Sequence, residues 1–179
     1  MKATGIVRRI DELGRVVIPK EIRRTLRIKV GDPLEIYTDR DGQIIFKKYS
    51  PIAEISSIAR IYADVMGETL DCSTFICDKD NVLACYGAKR KEYENAPLGK
   101  NVLQLLGDKK TMKLNKDNIV EIIDREDTSD VVSQIITPVL IDNEPIGCVI
   151  LVSKDKEFDD NAVYTSKTCA ILIEKQIDY

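Results

Sequence analysis

The sequence predicts two α+β units in series: a small β-rich unit over residues 1–50, and a larger one over residues 51–179 in which two helices bracket an antiparallel sheet. Three observations predict it. Residues 1–50 carry 12 Lys and Arg against 7 Asp and Glu, whereas residues 51–179 carry 15 against 23. The net charge of −3 hides this reversal, which marks two domains with different partners. The first unit alternates short β patterns with turn residues, and the second opens and closes on apolar stripes of helical period.

In the first unit, the alternation at Ile6–Ile10 predicts a strand, Asp11-Glu12-Leu13-Gly14 a turn, and Arg15–Ile18 a second strand. Pro19 suits the first position of a helix, because its missing N–H has no partner to lose there. Lys20–Leu26 then makes about two turns, with Ile22 and Leu26 on one face and Arg23, Arg24 and Arg27 mostly on the others. Gly31-Asp32-Pro33 breaks that helix. Leu34–Thr38, the turn Asp39-Arg40-Asp41-Gly42 and Gln43–Tyr49 read as a closing hairpin. A unit of ~50 residues without a metal or disulfide staple has too little core of its own, so association with a second copy is the expected source of the rest.

Ser50-Pro51 is a good N-cap followed by a good first helical residue. Ile52, Ile55, Ala59, Tyr62 and Met66 continue as one helical stripe, with Gly67 placed to end it. Strands are expected at Thr69–Cys77 and Asn81–Tyr86, a short helix near Asn101–Leu106, and a strand at Ile119–Ile123. Gln134–Ile141, a turn at Asp142–Pro145, and Ile146–Ser153 form an antiparallel hairpin. Asp159 or Asp160 caps a last helix, whose Val163, Ala170, Ile173 and Ile177 make a heptad-like seam. Both stripes can cover the sheet or meet another subunit.

The chemistry excluded is as informative. There is no histidine, so Ser–His and Cys–His nucleophile pairs and His-containing zinc sites are ruled out. No glycine-rich phosphate loop is present. Asp39-Arg40-Asp41-Gly42 fails as a calcium loop, because alignment on Gly42 puts Tyr37 at the first ligand position and Lys48 where a glutamate belongs. The five cysteines, Cys72, Cys77, Cys85, Cys148 and Cys169, form no C-x-x-C pair and read as buried reduced thiols. The longest apolar run, Cys148–Val152, is too short to span a bilayer, and no apolar leader is visible. The expectation is a cytoplasmic, non-membrane protein with no catalytic site, cofactor or metal.

The stretch Gly5-Ile6-Val7-Arg8-Arg9-Ile10-Asp11-Glu12-Leu13-Gly14-Arg15-Val16-Val17-Ile18-Pro19, continued by Lys20–Leu26, Gly31-Asp32 and Lys47-Lys48-Tyr49, resembles the AbrB-type swapped-hairpin DNA-binding domain of bacterial transition-state regulators. Thr137-Pro138-Val139 and Ile146-Gly147-Cys148-Val149 resemble the hairpin of a GAF domain. The resemblance implies a regulator of sporulation genes, activating at some promoters and repressing at others, with double-stranded DNA as partner. Its DNA-binding residues would be Arg8, Arg15, Arg23 and Arg24, with Arg9 and Lys2 as neighbours. It also implies a small-molecule ligand for the GAF-like domain, while the small core of residues 1–50 and the apolar stripes of helices 52–66 and 159–177 predict a homo-oligomer, dimeric through the first and joined into a tetramer through the second. In a two-fold dimer each basic residue appears twice, giving a broad positive face for duplex phosphates. Arg15, at a turn-to-strand junction, also reads as merely solvated. The same N-terminal fold occurs in antitoxins that neutralise a toxin with a flexible tail, but the segment after Ser50 has strands and amphipathic helices instead. An enzyme in the second unit is disfavoured by the missing catalytic groups.

Overall fold

The computed structural model describes residues 4–177. The chain separates into two compact units, one ending at Tyr49 and the other beginning at Ser50.

In the first unit, residues 4–18 contain no strand, although two were expected at Ile6–Ile10 and Arg15–Ile18. The turn between them is nevertheless built: Asp11 N donates to Arg15 O and Gly14 N to Asp11 O, both at 3.0 Å. The flanking segments find no ladder partner among the described residues, and a strand exists only by pairing. Helix α1 (Lys20–Thr25) starts one residue later than expected, with Pro19 at the N-cap and Arg23 and Arg24 in the last turn, where cations suit the helix dipole. Strands β1 (Leu34–Thr38) and β2 (Ile44–Lys48) pair antiparallel with Ile36 opposite Phe46. Their turn repeats the first one. Asp39 Oδ1 accepts from Asp41 N and Gln43 N, just as Asp11 Oδ1 accepts from Leu13 N and Arg15 N. Gly14 and Gly42, each at φ +75°, supply the left-handed residue both turns need.

The second unit opens with two helices where one was expected: α2 (Pro51–Glu54) and α3 (Ser56–Leu70), broken at Ile55. Ser50 caps α2 through its hydroxyl, which accepts from Ala53 N. Gly67 does not end α3. It lies inside the helix because the Tyr86 ring packs on it where a Cβ would stand, and Asp71 in the left-handed conformation closes the helix instead. Then follow β3 (Ser73–Asp78), β4 (Val82–Tyr86), α4 (Arg90–Tyr93), α5 (Lys100–Leu106), β5 (Met112–Asn115), β6 (Ser133–Ile141), β7 (Glu144–Ser153) and α6 (Asp160–Ile177). The five strands form one antiparallel sheet in the order β4-β3-β7-β6-β5.

The expected strand at Ile119–Ile123 is absent, and only a single bridge joins Ile123 to Leu98. The buried amide of Gln134 takes the place of a neighbouring strand, accepting from Val120 N and donating to Val120 O at 3.1 Å each. Glu126 does the same nearby, its carboxylate accepting from the Tyr93 hydroxyl and from Ile122 N. Burial and that hydrogen bond push the Tyr93 phenol well above its ordinary pKa. The β6–β7 hairpin and the Asp159 cap on α6, which accepts from Ala162 N at 2.9 Å, stand where the sequence places them.

Two apolar layers fill the unit. Ile52, Ala59, Ala63, Met66, Phe158, Ala170 and Ile173 join α2, α3 and α6 to one face of the sheet. Phe75, Val102, Leu106, Ile122, Ile136 and Ile150 join α5 and the following loop to the other. The seam of α6 thus faces the sheet. The five cysteines are buried thiols, and desolvation pushes that of Cys169 up to about 12. No helix among the described residues is long and apolar enough to cross a membrane.

One position tests the tightness of this packing. A Cβ on Gly147 would run into the carbonyl oxygen of Cys77 on β3 and the Ile52 side chain on α2. Backbone cannot step aside as a side-chain tip can. Gly147→Ala is therefore expected to destabilise the protein by about 1–3 kcal/mol, seen in a thermal melt as a drop of roughly 2–4 °C per kcal/mol.

Candidate nucleic-acid interface

The five arginines singled out by the sequence lie on three segments of the first unit. Arg8 and Arg9 are exposed on the extended stretch before the first turn, Arg15 follows that turn, and Arg23 and Arg24 occupy the last turn of α1. Lys2 lies outside the described residues.

Arg15 is positioned by Asp11. The Arg15 Nε donates to Asp11 Oδ2 at 2.8 Å while the Arg15 backbone N–H donates to Oδ1 at the same distance. These Arg15 donors hold the Asp11 carboxyl below its ordinary aspartate pKa. The guanidinium stays 70% exposed, so its other nitrogens remain available to an external acceptor. The role of Asp11 was missed in the sequence, although the signal was there: Asp11-Glu12-Leu13-Gly14-Arg15 and Asp39-Arg40-Asp41-Gly42-Gln43 share Asp and Gly at one spacing.

Arg23 differs from its neighbour. Arg24 is exposed, but Arg23 is half-buried, and its Nε is a buried donor with no hydrogen-bond partner among the described residues. A buried donor left without a partner costs about 1–3 kcal/mol.

The apolar residues around the arginines are as telling. Of residues 4–49 only Pro19 is buried. Val7 is 85% exposed and Val17 70%, with Ile10, Leu13, Ile36 and Ile44 also in solvent. A fold that leaves its β-branched and leucine side chains in water has not yet acquired its core.

An arginine-bearing hairpin unit is followed by a separately packed α+β sheet domain, and similarity to known proteins classes the chain as a DNA-binding transcription regulator. Residues 54–178 match the family profile "Stage V sporulation protein T C-terminal, transcription factor". Over its whole length this chain is 44% identical to stage V sporulation protein T of Bacillus subtilis (strain 168), covering 99% of each. The chain belongs to the stage V sporulation protein T family. Residues 7–54 also match the profile "Antidote-toxin recognition MazE, bacterial antitoxin". The transition state regulatory protein AbrB of B. subtilis (strain 168) is 48% identical over 90 residues, 50% of this chain and 84% of that one. The second unit has the GAF fold. It resembles the GAF domain of a phosphoenolpyruvate-protein phosphotransferase from Coxiella burnetii with a TM-score of 0.57 at 16% identity, over 69% of this chain and 82% of that one.

Proposed function

We propose that residues 1–50 form a dimeric DNA-binding domain and residues 51–179 a GAF-type domain that assembles subunits and answers to a small molecule. The observation that carries this reading is the unit with arginines on three segments and, among its described residues, a single buried one, Pro19. A second copy supplies ladder partners to the segments on either side of Asp11–Gly14 and covers Val7, Ile10 and Val17. The paired hairpins then present Arg8, Arg9, Arg15, Arg23 and Arg24 twice about a two-fold axis to double-stranded DNA. Phosphates positioned this way set affinity and orientation, and sequence preference comes from DNA shape as much as from base recognition.

Tetramer assembly falls to the outward side of the second unit, where Ile61 and Val65 of α3 and Tyr164 and Leu172 of α6 are exposed apolar side chains. Two DNA-binding faces on one particle gain avidity of ~10²–10⁴ when both engage. By its similarity to the B. subtilis protein, the chain acts in the cytoplasm on sporulation genes, repressing where it blocks polymerase and activating where it assists. It does so without catalysis.

The antitoxin profile over residues 7–54 favours a second reading, in which the C-terminal part would be a flexible toxin-binding tail. Against it stand the two apolar layers and five-stranded sheet of residues 50–177. Limited proteolysis separates the two. A protected fragment beginning near Ser50 is expected, and digestion of everything beyond Ser50 would favour the antitoxin.

A further inference from the structure

Helix α6 lies over β7 and β6, with β5 beyond them at the sheet edge. Beside α6 the second unit has a cleft of about 450 Å³, lined by residues of α6, of β6 and of the segment that joins α5 to β5. Clefts that take small molecules run from ~300 to 1,000 Å³ and set a few polar groups against an apolar lining. This one is open to solvent on one side and is lined by six polar and four apolar residues. Pro138 and Leu140 of β6 and Ala170 and Ile171 of α6 form apolar walls, while Lys109, Lys110 and Lys167 stand at the rim with Glu174.

The charges decide what the cleft can hold. Lys109 Nζ is taken, donating to Glu144 Oε1 at 2.8 Å, and Glu174 Oε1 accepts from Lys175 Nζ at 3.4 Å. Lys110 and Lys167 have no carboxylate partner among the described residues; Lys167 Nζ lies 5.9 Å from the Tyr164 ring centroid. Two uncompensated ammonium groups in a unit of 15 basic and 23 acidic residues are a local inversion of charge. Thr137, also lining the cleft, accepts a 2.7 Å hydrogen bond from Ser166 and so keeps its own proton for donation. Besides the Glu174 carboxylate and the Thr111 hydroxyl, the polar side chains left over are donors, and the surface beneath them is aliphatic.

We infer that this cleft binds a small amphipathic carboxylate, its head between Lys110 and Lys167 and its aliphatic body on Pro138, Leu140, Ala170 and Ile171. The assignment rests on the reading of the second unit as a ligand-binding domain and gives that ligand a class and a place. It also gives the signal a first step. On its other flank α6 shares a core with α2 through Ile173 and Ile52, and α2 is the first element after Tyr49.

The test uses the full-length protein and sodium octanoate, with 1-octanol as the neutral probe of equal chain length, followed by calorimetric titration. Octanoate is expected to bind saturably, one per chain, and octanol at least about tenfold more weakly, since a charged hydrogen bond is worth that much. Lys110→Met and Lys167→Met keep the stems while removing the charges, and each should weaken octanoate about tenfold. Their ligand-free melting temperatures should match the parent, and Lys156→Met, outside the cleft, should bind as the parent does. No octanoate binding, or equal affinity in the Lys110/Lys167 double variant, overturns the assignment. Equal binding of octanol overturns the carboxylate. DNA affinity is measured separately with and without octanoate: binding that depends on the two lysines yet leaves DNA affinity unchanged upholds the site and defeats the coupling reading.

Discussion

Val17→Asp is expected to dissociate the first unit of one chain from its partner and to abolish specific DNA binding, while the second unit stays folded. Val17 is 70% exposed in the single chain and adjoins the turn that carries Arg15. Covering a valine is worth about 1.5–3 kcal/mol, and a two-fold interface counts it twice. Loss of some 3–6 kcal/mol corresponds to roughly a hundred- to ten-thousandfold weaker dimerisation, and burying unpaired aspartates adds to it. The second unit buries its own core without help from residues 1–49, so its melting transition should survive. Gel shift and melting of the same sample read both effects. Unchanged DNA binding by Val17→Asp would show that the arginine unit works alone.

Replacing Arg23 and Arg24 together by Ala should weaken DNA binding at least about tenfold and flatten its dependence on salt. Each DNA phosphate that is no longer neutralised changes the log–log slope by about 0.9, so four guanidinium groups in a dimer change it by as much as roughly 3.6. The two residues should not be equal. Arg24 is exposed and acts as a point of positive charge, whereas the buried orphan Nε of Arg23 marks a fixed orientation. Arg23→Lys should therefore lose more than Arg24→Lys, because lysine keeps the charge and loses the planar fork. A slope unchanged by the double substitution would place the DNA on another surface.

The parts of this molecule that were legible in its sequence are those whose partners are close along the chain. The β6–β7 hairpin shows in Gln134–Ser153 because its turn and both strands are contiguous. The α6 start shows at Asp159, whose side chain caps a residue three positions on. The misreadings have distant or external partners. Gly67 resembles a helix end, and only Tyr86, on another strand, explains why a glycine sits mid-helix. Ile119–Ile123 has the apolar pattern of a strand, but its backbone is satisfied by Gln134 and Glu126. Ile6–Ile10 and Arg15–Ile18 read as strands and find no partner among the described residues. At the candidate interface the family resemblance pointed to the arginines, whereas the hold of Asp11 on Arg15 and the buried Arg23 Nε depend on how the turn and α1 fold. The cleft beside α6 was invisible, since Lys110 and Lys167 come together only through the sheet.

In the function proposed above, residues 1–50 are half of a fold, completed by a second copy before DNA is bound. Sedimentation equilibrium of the intact chain at micromolar concentration tests it most directly. A particle of two or four times the 20.2 kDa chain mass is expected, with no monomer detectable in the range where DNA is bound. A DNA-binding species sedimenting at 20.2 kDa would contradict it.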